Sequence, residues 1–168
     1  MIQLNSSAAA KGAINMERTN WNEYFLQIAK LVASRSTCLR KQVGAVIVKN
    51  RHILATGYNG SPHGTLHCTE IGCLREEMKI PHGARYEMCR ACHGEENAIL
   101  QSARHGVSIE GADIYCTHKP CVNCTKMILN SGIKRVFYAI DDLPANELQD
   151  SLISQAETEF IKLEQDLN

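Results

Sequence analysis

Long hydrophobic runs are missing from this 168-residue chain. No stretch approaches the roughly 18 apolar residues that a membrane-spanning helix needs. An excess of charge is missing too, because eighteen Lys and Arg meet eighteen Asp and Glu. That balance leaves no electrostatic footprint for duplex nucleic acid or an anionic membrane surface, so neither is expected as a partner. Four prolines and eleven glycines are too few for a collagenous chain, and a 44% hydrophobic content is that of a globular protein. There is no internal repeat, no low-complexity tract and no G-x-x-x-x-G-K-[ST] loop, so nucleoside triphosphate hydrolysis is not expected. Met1 to Asn15 has only a short alanine run broken by Lys11, without the apolar core of an export signal. A cytoplasmic location with reduced thiols is therefore expected.

What the chain has in quantity is cysteine and histidine, eight of one and seven of the other. In a reducing compartment, clusters of these residues more often bind metal than form disulfides. The length favours a single domain. Residues 1–15 read as a loose arm, 16–142 as the main domain and 143–168 as a helical tail. Trp21, Tyr24, Phe25, Ile28, Leu31 and Val32 step by three and four, predicting a helix capped by Thr19 or Asn20. Val43 to Val48 and Ile53 to Thr56 predict a hairpin with a three- to four-residue connection. Residues 59–92 form a long, irregular insertion that holds four of the cysteines. Helices are predicted from His93 to about Arg104 and from Cys121 to Asn130, and strands over Ala112 to Thr117 and Val136 to Ile140. In the tail, Leu148, Leu152, Ile153, Phe160 and Leu163 follow helical spacing. This order predicts a three-layer α/β domain with a partly parallel sheet.

Two segments carry the chemistry: His93-Gly94-Glu95 and Pro120-Cys121-Val122-Asn123-Cys124. At a helix start, Cys121 and Cys124 lie on one face, where the partial positive charge of the terminus favours thiolates. With His93 they make three ligands and leave a fourth position open, the pattern of a catalytic zinc site. Glu95 stands about 200° round an ideal helix from His93, beside that shell rather than in it. It suits a proton shuttle for water acidified by the metal. H-x-E followed by P-C-x-x-C is the signature of zinc nucleobase deaminases.

Over about residues 20–140 the sequence resembles the deoxycytidylate (dCMP) deaminases of the cytidine deaminase superfamily. The resemblance is carried by Ser36-Thr37-Cys38, Val43-Gly44-Ala45-Val46, Gly57-Tyr58-Asn59-Gly60-Ser61-Pro62, His67-Cys68, Gly72-Cys73 and the two zinc motifs. It implies a cytidine-deaminase-like fold, with a mixed sheet of about five strands flanked by helices. It also implies zinc-dependent hydrolysis of dCMP to dUMP and ammonia, feeding thymidylate synthesis. Glu95 would take a proton from water and return protons to the base and the departing ammonia. Activation by dCTP, inhibition by dTTP, Mg²⁺ accompanying the effector and a homo-oligomer, a hexamer by preference, are further implications. Asn59 matches an asparagine near the sugar, Tyr138 a tyrosine near the nucleotide, and the backbone from Asn59 through Gly60 to Gly64 an effector contact. A second, structural zinc is expected on Cys38, Cys68, Cys73 and Cys89, with His67 as an alternate. The chain departs from the family in having Gly94 where alanine is usual and Tyr86 where histidine is common. Candidate phosphate contacts are Arg35, Arg40, Lys41, Arg104 and Lys119. The competing expectations are a zinc deaminase of another cytosine nucleotide or nucleoside, and a non-catalytic zinc module.

Overall fold

The structure, a computed structural model, describes residues 18–164; the expected arm over 1–15 lies outside them. Helix α1 spans Trp21–Ala33, and its N-terminus is capped by Asn20, whose Oδ1 accepts from the Glu23 N–H at 2.9 Å. Its inner face carries Phe25, Leu26, Ala29 and Ala33. The hairpin follows as β1 (Gly44–Lys49) and β2 (His52–Tyr58). Its connection is shorter than expected. Only Asn50 and Arg51 form the turn, at φ of 51° and 65°, and Lys49 stays in the strand. Positive φ at both central residues matches the twist of the flanking strands, which is why two-residue hairpin turns adopt it.

Two short helices, α2 (Cys68–Ile71) and α3 (Leu74–Glu77), and a 3-10 turn at Tyr86–Met88 punctuate the insertion. The regular domain then resumes with α4 (Gly94–Arg104), β3 (Asp113–His118), α5 (Val122–Asn130) and β4 (Arg135–Ile140). The tail adds α6 (Glu147–Gln155) and β5 (Glu159–Lys162). Strand order is β2-β1-β3-β4-β5. Strand β1 runs antiparallel to both neighbours, whereas β3, β4 and β5 are parallel.

The central strands are apolar on both sides, and their alternation sorts the core into two layers. Val46, Tyr115 and Phe137 are register partners in succession and pack with Phe25 and Leu26 of α1. Ala45, Cys116 and Tyr138 are partners on the opposite face, in one cluster with Ala98 of α4 and Ile128 of α5. The sheet is thus sandwiched between α1 and the pair α4 and α5.

The tail corrects the expectation of a helix throughout 143–168. Phe160 packs with the second layer while Ile161 and Leu163 pack with the first, so adjacent residues face opposite sides of the sheet. That is the two-residue period of a strand, and β5 completes the five-stranded sheet beside β4. The apparent helical spacing ran across a break after Gln155.

One close approach sets the position of α4. A Cβ on Gly57 would collide with the Gly94 carbonyl and the Ala98 backbone, so only glycine lets β2 lie this near the helix.

Candidate active site

The starts of α4 and α5 meet at the edge of the sheet where β1 begins and β3 ends. His93 is the N-cap of α4, and its backbone N–H donates to Glu96 Oε2 at 3.1 Å. Cys121 is the N-cap of α5, with Cys124 one turn on. His93 Nδ1 lies 3.4 Å from each of the two Sγ atoms. Among the described residues, these three are the group whose ligand atoms all lie within 4.8 Å of one another. A tetrahedral zinc with ordinary bond lengths sets N···S edges of about 3.6 Å, so the constellation fits that ion. The contacts of Cys121 with Cys124 and His93 draw the Cys121 pKa down, while the neighbouring Cys121 and burial hold that of Cys124 well above the usual thiol range. Burial alone would lower the His93 pKa, but the contact with Cys121 and the field of Glu95 carry it upward.

Glu95 is only 3% exposed, and Cys124 Sγ lies 3.6 Å from its Oε2. Burial pushes its pKa up to about 7, against the pull of His93 and a backbone hydrogen bond. A carboxyl poised near neutrality accepts and returns a proton with little cost in either direction. It stands beside the three-ligand shell, as its place two residues beyond His93 implies.

The cavity above these groups has a volume of about 90 Å³. It is smaller than the roughly 300 Å³ at which small-molecule sites begin. Its walls bring Asn59 to the site. The Asn59 amide knits the approach to β1: Oδ1 accepts from Val43 N–H at 2.8 Å and Ser36 Oγ at 2.6 Å, while Nδ2 donates to the Lys41 carbonyl at 2.8 Å. An amide has two N–H donors. The second has no partner among the described residues.

Other expected positions lie elsewhere. Gly60 exchanges two backbone hydrogen bonds with Cys92 and borders a separate groove of about 590 Å³ rather than the cavity. Tyr138 is not among the described residues lining the cavity; its register opposite Cys116 places it in the core beneath α4 and α5. Cys38, Cys68, Cys73 and Cys89 line the cavity together, but no three of them converge to metal-binding distance. His67 is engaged by Thr37 Oγ1 at 3.2 Å. Of the candidate phosphate contacts, Arg40, Lys41 and Lys119 line the cavity, and Arg104 lines the groove. Arg75, Arg90 and His118 also line the cavity and were not anticipated. Arg75 and Arg90 lie in a stretch with neither helical nor strand period, where nothing in the pattern marks one arginine from another.

A histidine and two cysteines at two helix starts, with a buried carboxyl beside them, define a zinc-dependent hydrolytic site. The family described as cytidine and deoxycytidylate deaminase zinc-binding region matches residues 19–140, and the chain belongs to it. ComE operon protein 2 of Bacillus subtilis is 46% identical over 141 residues, 84% of this chain and 70% of that protein. The deoxycytidylate deaminase of Schizosaccharomyces pombe is 40% identical over 124 residues, 74% of this chain but 38% of the yeast protein's length. Among solved structures, the dCMP deaminase of cyanophage S-TIM5 in complex with dCMP and dUMP superposes with a TM-score of 0.67. It is 30% identical, and the match covers 88% of this chain and 99% of that one. The five-stranded mixed sheet with flanking helices is accordingly a cytidine-deaminase-like fold.

Proposed function

We propose that the protein catalyses hydrolytic deamination of dCMP to dUMP and ammonia, and that the dUMP supplies thymidylate synthesis. One observation carries this reading: three metal-ligand atoms within 4.8 Å of one another, with the buried Glu95 carboxyl 3.6 Å from one of them. His93, Cys121 and Cys124 would hold zinc, whose Lewis acidity makes water a nucleophile at neutral pH. Glu95 accepts one proton as water adds to C4 of cytosine and passes it to N3. It then takes the second from the new C4 hydroxyl and passes it to the amine, so the C–N bond breaks as the C4 carbonyl forms, water is consumed and ammonia released. Asn59, whose second N–H has no partner among the described residues, would hold the sugar. The likeness to deoxycytidylate deaminases and to a dCMP-bound phage enzyme selects the substrate.

Regulation and assembly belong to the same reading. The groove lined by Tyr58, Gly60, Ser61, Asn97 and Arg104 would take dCTP as activator or dTTP as inhibitor, with Mg²⁺ on the triphosphate. Ser61 Oγ is buried without a partner there, which favours a polar occupant. A second, structural zinc would tie the insertion through Cys38, Cys68, Cys73 and Cys89. Burial raises the Cys68 pKa, and the neighbouring Cys73, Cys38 and Cys89 raise it further. Exposed Leu100 and Met127, on α4 and α5, favour a homo-oligomer, with a hexamer as the family-based expectation. All eight cysteines are free, in keeping with a cytoplasmic setting. Among the described residues no helix is long and apolar enough to cross a membrane.

The reaction is tested by ammonia release from dCMP, CMP, deoxycytidine and dCTP, with Glu95→Gln as control. Fastest release from dCMP, reduced roughly 100- to 10,000-fold in the variant, is expected. Faster release from another of the four overturns the substrate, and no release from any overturns the reaction.

A further inference from the structure

Although the chain as a whole is neutral, its cavity is not. Among the described residues, Arg40, Lys41, Arg75, Arg90 and Lys119 line it against two carboxylates, Glu95 and Asp142. Two of the cations are already paired, Lys41 with Asp142 and Lys119 with Asp141. Arg75 differs from the others in depth and company. It is 7% exposed, and no acidic partner reaches it among the described residues. Its Nη2 donates to the Pro81 and Ala84 carbonyls at 3.1 and 2.6 Å, which fixes the guanidinium in place. Its Nε is buried with no hydrogen-bond partner at all. A buried charge without a counterion is costly, and an anion bound beside it would relieve that cost.

The position is suited to that role. The guanidinium lies 5.1 Å from the centre of the Tyr86 ring, and that ring stands edge-on to His93 with centroids 5.0 Å apart. Arg75 is therefore two aromatic contacts from the metal-ligating histidine, on the wall of the same cavity. A base held at Glu95 and an anion held at Arg75 would be the two ends of one small ligand.

We infer that Arg75 is the anchor for the 5′-phosphate of the nucleotide substrate, and so a determinant of nucleotide over nucleoside. The inference rests on the dCMP reading of the site. Guanidinium is the side chain best matched to phosphate, and this one is held rigid by carbonyls that do not satisfy its charge.

The test is calorimetric binding of dUMP and deoxyuridine to the zinc-loaded wild type, Arg75→Met and Arg75→Lys, with wild-type ammonia release from dCMP measured alongside. Losing a charged hydrogen bond should weaken dUMP on the order of 10- to 100-fold in Arg75→Met. Deoxyuridine affinity should shift by less than about threefold, because that ligand lacks the phosphate that Arg75 is argued to hold. Arg75→Lys, which keeps the charge but loses the planar fork, should fall between and serves if the methionine variant does not fold. Parallel weakening of both ligands would make Arg75 a structural pin and overturn the anchor, as would unchanged dUMP affinity or no binding of dUMP to the wild type. If dUMP binding depends on Arg75 while dCMP yields no ammonia, the anchor stands and the deaminase reading falls. Ammonia release with parallel weakening gives the reverse.

Discussion

The catalytic floor and the insertion that covers it are built from different kinds of contact. The floor rests on the starts of α4 and α5, and its neighbours Ala98 and Ile128 are fully buried against the sheet. The insertion contributes few buried apolar residues and is held by polar clasps. Arg75 draws in the Pro81 and Ala84 carbonyls, Arg40 Nη1 donates to the Ile80 carbonyl at 3.1 Å, and Gly60 pairs with Cys92. At its far side His82 lies 3.9 Å from Asp142, and Gly83 sits against Pro144. Reacting groups thus stand on elements fixed by core packing, while the insertion that walls the cavity is fastened mainly by hydrogen bonds.

Cysteine variants set the two regions against each other most sharply. Cys121→Ser should remove one zinc and bring turnover below detection. Cys68→Ser with Cys73→Ser should also lose one zinc, but keep the catalytic one and a measurable rate. Metal content by mass spectrometry beside ammonia release decides it, and unchanged zinc in the double variant would leave the insertion without a metal of its own.

A smaller effect tests how the floor is braced from the tail. Gln149 of α6 is 4% exposed and donates through Nε2 to the Pro120 carbonyl at 2.6 Å and to Thr125 Oγ1 at 3.0 Å. Gln149→Leu leaves both acceptors unpaired next to Cys121, which should cost about 1–3 kcal/mol in chemical denaturation. A loss confined to the insertion, with α5 unaffected, would contradict this bracing.

The smallest expected effect is pH-dependent. Burial and then Lys41 lower the pKa of His118 to about 4. As pH falls from about 6.5 toward 4, the unfolded chain binds a proton that the folded one refuses, so His118 contributes stability above this window and loses it within. His118→Asn should therefore lose less thermal stability than the wild type between pH 7 and 5. Parallel melting curves would show that the cavity mouth does not hold this histidine neutral.

Legibility in the sequence divides along the same line. His93, Glu95, Cys121 and Cys124 could be read because their spacing is imposed by helix geometry, and the structure brings all four together. The α1 helix and the central strands were visible from their periods. The tail misled because Phe160 lies where a helical step from Ile153 happens to fall, although a break separates them. Tyr138 could be core or ligand contact until its partner in β3 was known. Arg75 was invisible for a plainer reason: its burial comes from chain folding around it within an aperiodic segment, and no local pattern encodes that.

Two of the three metal ligands, His93 and Cys121, occupy helix N-cap positions, where Ser, Thr, Asp or Asn would hold a helix start best. An ion bound there would stand in for a cap at each helix start and tie α4 to α5. Its binding would then add to stability as well as supply chemistry, since a ligand that binds only the folded chain adds stability in proportion to the logarithm of its free concentration.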